Sequence, residues 1–154
     1  MTDLLLSDTL WSGTTEILEK MFFVDASEIE TSAGEGGITA ALTFEGDPPG
    51  ALWVCLTPGA ARALAADFLS VEPSCLSPHQ IEAVVCELAN MICGSVLSRV
   101  ESSSDFRLSE PRIVAAAPTA PPMASRTVAL AGGFLTVGMR MESAAWPASA
   151  KFES

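Results

Sequence analysis

The sequence predicts an α+β fold in which helices pack on a mainly antiparallel sheet. Three observations predict it. Residues 37–56 and 127–141 each hold two runs of alternating apolar residues joined by glycine or proline, the pattern of a β-hairpin. Segments 8–23, 58–69 and 78–99 space their apolar residues at threes and fours, as helices with one buried side do. The resulting order is helix, hairpin, helix, long helix, extended segment, hairpin. That order suggests a duplicated helix-plus-hairpin unit, although the halves share no residue-level identity.

In the first helix, DTLWSGTTEILEKMFF over 8–23, Leu10, Trp11, Ile17, Leu18, Met21 and Phe22 make the apolar side and Gly13 weakens the early turns. In the first hairpin Ile38, Ala40, Leu42 and Phe44 alternate with polar or small residues, and GDPPG supplies the reversal into ALWVCL. Thr57 before Pro58 marks the start of a second helix with an apolar stripe of Ala61, Leu64, Ala65, Phe68 and Leu69. The third helix has the strongest start. Ser77 can cap it, Pro78 suits its first position, and Gln80 stands three residues on, as in a capping box. FRLSEPRIV (106–114) is predicted to be extended, AAAPTAPPMA (115–124) to be a proline-interrupted loop, and TVALAGGFLTVGMRM (127–141) to be the second hairpin, turning near Gly132 and Gly133. The tail from about 143 has no period and is expected to fray.

A chain of 154 residues suits one domain, 1–154, and 49% hydrophobic residues against 18% charged ones argue for a packed core. The net charge of −11 opposes phosphate backbones and anionic lipid surfaces, so neither nucleic acid nor membrane is an expected partner. No uninterrupted apolar run reaches the 18 or so residues that cross a bilayer. The acidic start MTDLLLSDTLW is unlike a secretory signal, which makes the cytoplasm the expected location. Cys55, Cys75, Cys86 and Cys93 lack metal-ligand spacing, and the lone His79 does not complete a set. No metal site is expected, and the cysteines are read as small buried hydrophobes.

One helix face departs from the ordinary. At about 100° per residue, Ile81, Val84, Val85, Leu88, Ile92 and Val96 gather on one side of the third helix. Roughly opposite them lie Ala83, Glu87, Asn90 and Gly94, within about one sixth of the circumference. A solvated face normally carries lysines, arginines and glutamates in pairs. Here two polar side chains stand between two very small residues, a shape that lets another surface approach closely. Geometry leaves two readings open: a docking face, or the polar side of an amphipathic helix with Gly94 an accident of packing. Glycine in a helix interior costs about 1 kcal/mol relative to alanine, so Gly94 calls for a reason.

ELANMICG, residues 87–94, resembles the signature of the CheC/CheX/FliY family of chemotaxis phosphatases, and most of all its CheX branch. Members carry a glutamate and an asparagine three apart on a long helix, with a glycine four further on, and Glu87, Asn90 and Gly94 match. The order of hairpin and alanine-rich helix, and Ser109-Glu110-Pro111 where relatives have a Ser-x-Pro segment, extend the likeness. The resemblance implies removal of the phosphoryl group from the aspartate of a phosphorylated CheY-like response regulator. In that reading Asn90 orients an attacking water and Glu87 meets the regulator's active-site lysine, while Ala83 and Gly94 admit the partner. It also implies no cofactor of the protein's own, the Mg2+ being supplied by the regulator. CheC-type members have a second Glu-x-x-Asn pair on the first helix. The matching stretch here, TTEILEKM, has Glu19 three after Glu16, so one site is expected. Where relatives often carry acidic residues ahead of the site helix, this chain reads LSPHQ. The alternative on the same fold is a non-catalytic regulator-binding or flagellar-switch-like scaffold.

The resemblance further implies a homodimer through sheet edges, and the poorly charged runs ITAALTF and ALAGGFLTVGM would be sticky if they formed those edges. His79 is read as a surface residue at a helix start, and Trp11 and Trp53 as core. GEGG (34–37) precedes a strand rather than a helix and is no phosphate loop. Ser95 and Ser98 lack a histidine and aspartate partner for hydrolase chemistry.

Overall fold

The computed structural model of the protein describes residues 3–22, 27–29, 37–46, 49–100, 105–115 and 122–141. Three helices, α1 (Asp3–Met21), α2 (Pro58–Leu69) and α3 (Pro78–Leu97), accompany seven strands. The strands are β1 (Ser27–Ile29), β2 (Ile38–Glu45), β3 (Gly50–Leu56), β4 (Arg107–Leu108), β5 (Arg112–Val114), β6 (Ala124–Leu130) and β7 (Gly133–Met141). They form one antiparallel sheet in the order β1-β6-β7-β3-β2-β4, with β5 also pairing β2.

That order is a palindrome of two units, α1-β1-β2-β3 and α3-β4-β5-β6-β7. The inner strands β3 and β7 pair at the centre, with Val54 opposite Val137. Each unit's short strand pairs with the outer strand of the other unit's hairpin, β1 on β6 and β4 and β5 on β2. The duplication suggested by element order is therefore expressed in the sheet.

The core forms where the predicted inward faces meet. Ala40, Leu42 and Phe44 of β2, Leu52, Val54 and Leu56 of β3, and Leu135, Val137 and Met139 of β7 pack with Leu10, Leu18, Leu88 and Ile92 of the helices. Ile38 is half-buried at the end of its strand. Trp53 is 5% exposed, its ring against Gly138 across the ladder, while Trp11 is half-buried beneath the Arg126 guanidinium, 5.4 Å from the ring centroid.

Several boundaries differ from expectation. The first helix starts at Asp3 rather than 8, because Leu6 extends the buried stripe of Leu10 a turn earlier. Gly13 does not weaken it there. An added Cβ would meet the backbone and side chain of Val96, so glycine permits α1 and α3 to cross closely. The second helix does start at Pro58 after Thr57 as expected, but the Thr57 side chain does not cap it; its hydroxyl accepts from the Phe134 amide at 3.0 Å and ties α2 to β7. Leu69, expected in the buried stripe of α2, is 39% exposed at the helix end. The second hairpin turns at Ala131–Gly132, where Gly132 has φ +86° and lies against the Gly59 backbone.

The runs expected as exposed edges are interior. β2 is flanked by β3 on one side and by β4 and β5 on the other, and β7 lies between β6 and β3. Very short strands occupy both edges, one of the ways sheets avoid end-on association, so stickiness of those runs gives no reason for a dimer. FRLSEPRIV is extended but split, since Pro111 cannot donate. Ser109 bridges the gap with its amide donating to Thr43 O at 2.8 Å and its hydroxyl accepting from Thr43 N at 2.9 Å.

Of the four cysteines only Cys93 is fully buried, and burial pushes its thiol up to about 12. Cys55 and Cys86 are half-buried, and Cys75, in the short 3-10 turn Pro73–Cys75, is exposed, contrary to expectation. By length and composition α3 is apolar enough to cross a membrane, although Glu82, Glu87 and Asn90 interrupt its apolar run. Half of that window is buried, against α1, α2 and the sheet, as in a core helix. The proposed fraying of the tail, Trp146 and most of the proline-rich loop lie outside the described residues.

Candidate functional site

The site is built on α3, whose start is set locally. The Ser77 amide donates to Gln80 Oε1 at 2.9 Å and the Gln80 amide donates to Ser77 Oγ at 3.1 Å, closing the capping box with Pro78 in the first turn. From there the helical period decides which residues face in. Ile81, Val84, Val85, Leu88, Ile92 and Val96 are all buried, joined by Ala89, Cys93 and Leu97.

The opposite stripe emerges as the period requires. Ala83, Glu87 and Gly94 are exposed and Asn90 is half-exposed, so one surface presents all four. Glu87 and Asn90 stand about 4.5 Å apart along the axis. Among the described residues neither side chain makes a hydrogen bond or ion pair. Toward the described residues, a carboxylate and an amide on one helix face thus leave their bonding capacity unspent. Gly94 is the more telling residue. A Cβ built there meets nothing within 4 Å among the described residues, so no packing between them requires glycine.

The helix equivalent to α3 in the other unit is different. On α1, Glu16 accepts from Arg99 Nη2 at 2.9 Å, from Ser95 Oγ at 3.1 Å and from Lys20 Nζ at 3.4 Å. Arg99 Nη1 also donates to Ser95 O and Oγ, at 2.8 and 2.7 Å. These bonds, that from Arg99 first, hold the Glu16 carboxyl below its ordinary range. Glu16, read in the sequence only for its spacing to Glu19, is a clasp between the two helices. Nothing local could have revealed a contact 83 residues apart.

The other singled-out residues fall away from this stripe's chemistry. His79 is exposed at the helix start. Ser95 is engaged by Glu16 and Arg99, and Ser98 donates to Ser95 O at 2.7 Å. Cys86, beside Glu87 in sequence, has its thiol raised by burial and then by Glu82 and Glu110, which disfavours a nucleophilic thiolate. Among the described residues no three histidine, cysteine or carboxylate side chains group as metal ligands.

The family model described as "Chemotaxis phosphatase CheX" matches residues 38–130, which hold the whole of α3. The chain belongs to the CheX family. Solved CheX structures share its fold. The chemotaxis protein CheX from Vibrio vulnificus superposes with TM-score 0.71 at 15% identity, over 92% of this chain and 99% of that one. CheX from Desulfovibrio desulfuricans gives 0.70 at 17%, over 90% and 99%. CheX in the CheX-CheY-BeF3-Mg2+ complex from Borrelia burgdorferi gives 0.68 at 14%, over 88% and 97%. No curated protein sequence matches the chain.

Proposed function

We propose that this CheX-family protein is an aspartyl-phosphate phosphatase that docks α3 on a phosphorylated CheY-like response regulator and hydrolyses its acyl phosphate. The open stripe carries this reading: Glu87 and Asn90 have no partner among the described residues, and they stand beside a glycine that packing among those residues does not need. The relative solved with CheY, BeF3 and Mg2+ supports the class of partner.

An acyl phosphate is already activated, because the carboxylate that leaves is a weak base and departs without a proton. The magnesium ion and lysine of the regulator neutralise the phosphoryl charge when they are present. What remains is orientation of water. The Asn90 amide accepts one hydrogen bond and donates others, enough to hold a water in line with phosphorus. Attack forms the new oxygen–phosphorus bond as the bond to the aspartyl oxygen breaks, releasing inorganic phosphate, and the water's proton passes to phosphate or solvent. Holding the water removes much of the entropic part of the barrier. Glu87, one turn earlier, makes a charge-assisted contact with the regulator's lysine and fixes the register of docking. The reading places the protein in the cytoplasm, and a homodimer belongs to it, with the edges at β1 and at β4 and β5 as the available surfaces.

The test follows loss of phosphoryl group from a CheY-like receiver with wild type, Asn90→Ala and Glu87→Ala. Wild type accelerates the loss, Asn90→Ala binds without accelerating, and Glu87→Ala weakens both. Binding by wild type with dephosphorylation at the spontaneous rate would establish the scaffold alternative instead.

A further inference from the structure

The stripe does not end at Gly94. It opens into a groove of about 440 Å3 whose floor is Leu97, Val100, Phe106 and Leu108, with Ser98 and Asp105 exposed at the rim. Phe106 is fixed edge-on against Phe44, its centroid 5.7 Å away, and Leu108 is paired in the ladder opposite Phe44, so the floor is rigid. Gly94 forms the passage between stripe and groove: with no Cβ and nothing within 4 Å, it leaves the way open.

Resting on the function proposed above, we infer that this groove is a second docking point for the same receiver domain, taking a large apolar side chain flanked by a basic residue. Two physical arguments carry it. Gly94 lies about 6 Å along the axis from Asn90, while a stable protein interface covers about 800 Å2 on each partner. Two polar side chains and two very small residues supply little of that area. A partner seated on Asn90 must therefore overhang the groove, whose apolar floor provides the desolvated contact that the stripe lacks. The Asp105 carboxylate at the rim selects a basic neighbour, and on a chain of net charge −11 such local complementarity has to offset long-range repulsion between acidic partners.

The experiment titrates a CheY-like receiver, held in its activated state with beryllofluoride and Mg2+, against wild type, Ser98→Trp and Asp105→Lys. Circular dichroism and melting first establish that each variant is folded. Ser98→Trp fills the groove and is expected to weaken binding about tenfold; Asp105→Lys weakens it severalfold and flattens its salt dependence. Hydrogen exchange on the wild-type complex is expected to protect the amides of 106–108. Affinities within twofold of wild type, or weakened binding without that protection, overturn the inference while wild-type phosphatase activity leaves the proposed function standing. If wild type neither binds nor dephosphorylates the receivers of its own cell, the function falls and the groove assignment falls with it.

Discussion

α1 and α3 are equivalent helices of the two units, and each has a glycine in its interior, yet the two glycines have opposite surroundings. A Cβ at Gly13 would strike Val96; a Cβ at Gly94 would meet nothing within 4 Å among the described residues. The carboxylates divide in the same way. Glu16 is spent on Ser95, Arg99 and Lys20, whereas Glu87 has no partner among the described residues. One helix is committed inward to its twin, and the other is left free to meet something else. The contrast teaches that an added Cβ separates a helix glycine that packing among the described residues requires from one that it does not.

The largest effect expected from pressing this contrast is catalytic. Asn90→Ala should lower receiver dephosphorylation by about a hundredfold or more, the scale of a lost positioning group. Adding Glu19→Asn to that variant creates a Glu-x-x-Asn pair on α1 but should not restore the rate, because Glu16 stays clasped to α3; phosphate release from both chains decides it. Next comes Gly13→Ala, expected to destabilise by about 1–3 kcal/mol through overpacking against the Val96 backbone, read as a fall in denaturant midpoint. Gly94→Ala should do the reverse, stabilising the isolated protein by up to about 1 kcal/mol while weakening receiver binding. A Gly94→Ala protein that is less stable, or binds as well as wild type, would dissolve the contrast. The smallest effect belongs to the clasp. The Glu16 carboxyl is held below its usual 4.5, so its contribution to stability is present above the unfolded value and is lost as pH falls through the lowered one. Melting temperatures of wild type and Glu16→Gln should therefore differ slightly near neutrality and converge as pH falls through that lowered value.

How much of this was legible depended on the range of the interaction. The capping box of Ser77 and Gln80 spans three residues, and the alternation of Ala40, Leu42 and Phe44 is a property of one strand, so both could be read directly. The stripe of Ala83, Glu87, Asn90 and Gly94 could be read too, because helical period alone places it. β1 was missed, since three residues carry no period and exist as a strand through pairing of Glu28 with Val128. The clasp from Glu16 to Arg99, the groove joining α3 to Phe106 and the flanking of β6 and β2 by short strands were equally hidden. Each arises from residues far apart in sequence, brought together only by the packing of α1 on α3 and by the crossed pairing of the outer strands.

The interleaved sheet has a consequence for how the chain could be divided. Neither half completes its own border; each lends its leading short strand or strands to the opposite half. A peptide cut between α2 and α3 should yield fragments that stay unfinished apart and recombine when mixed.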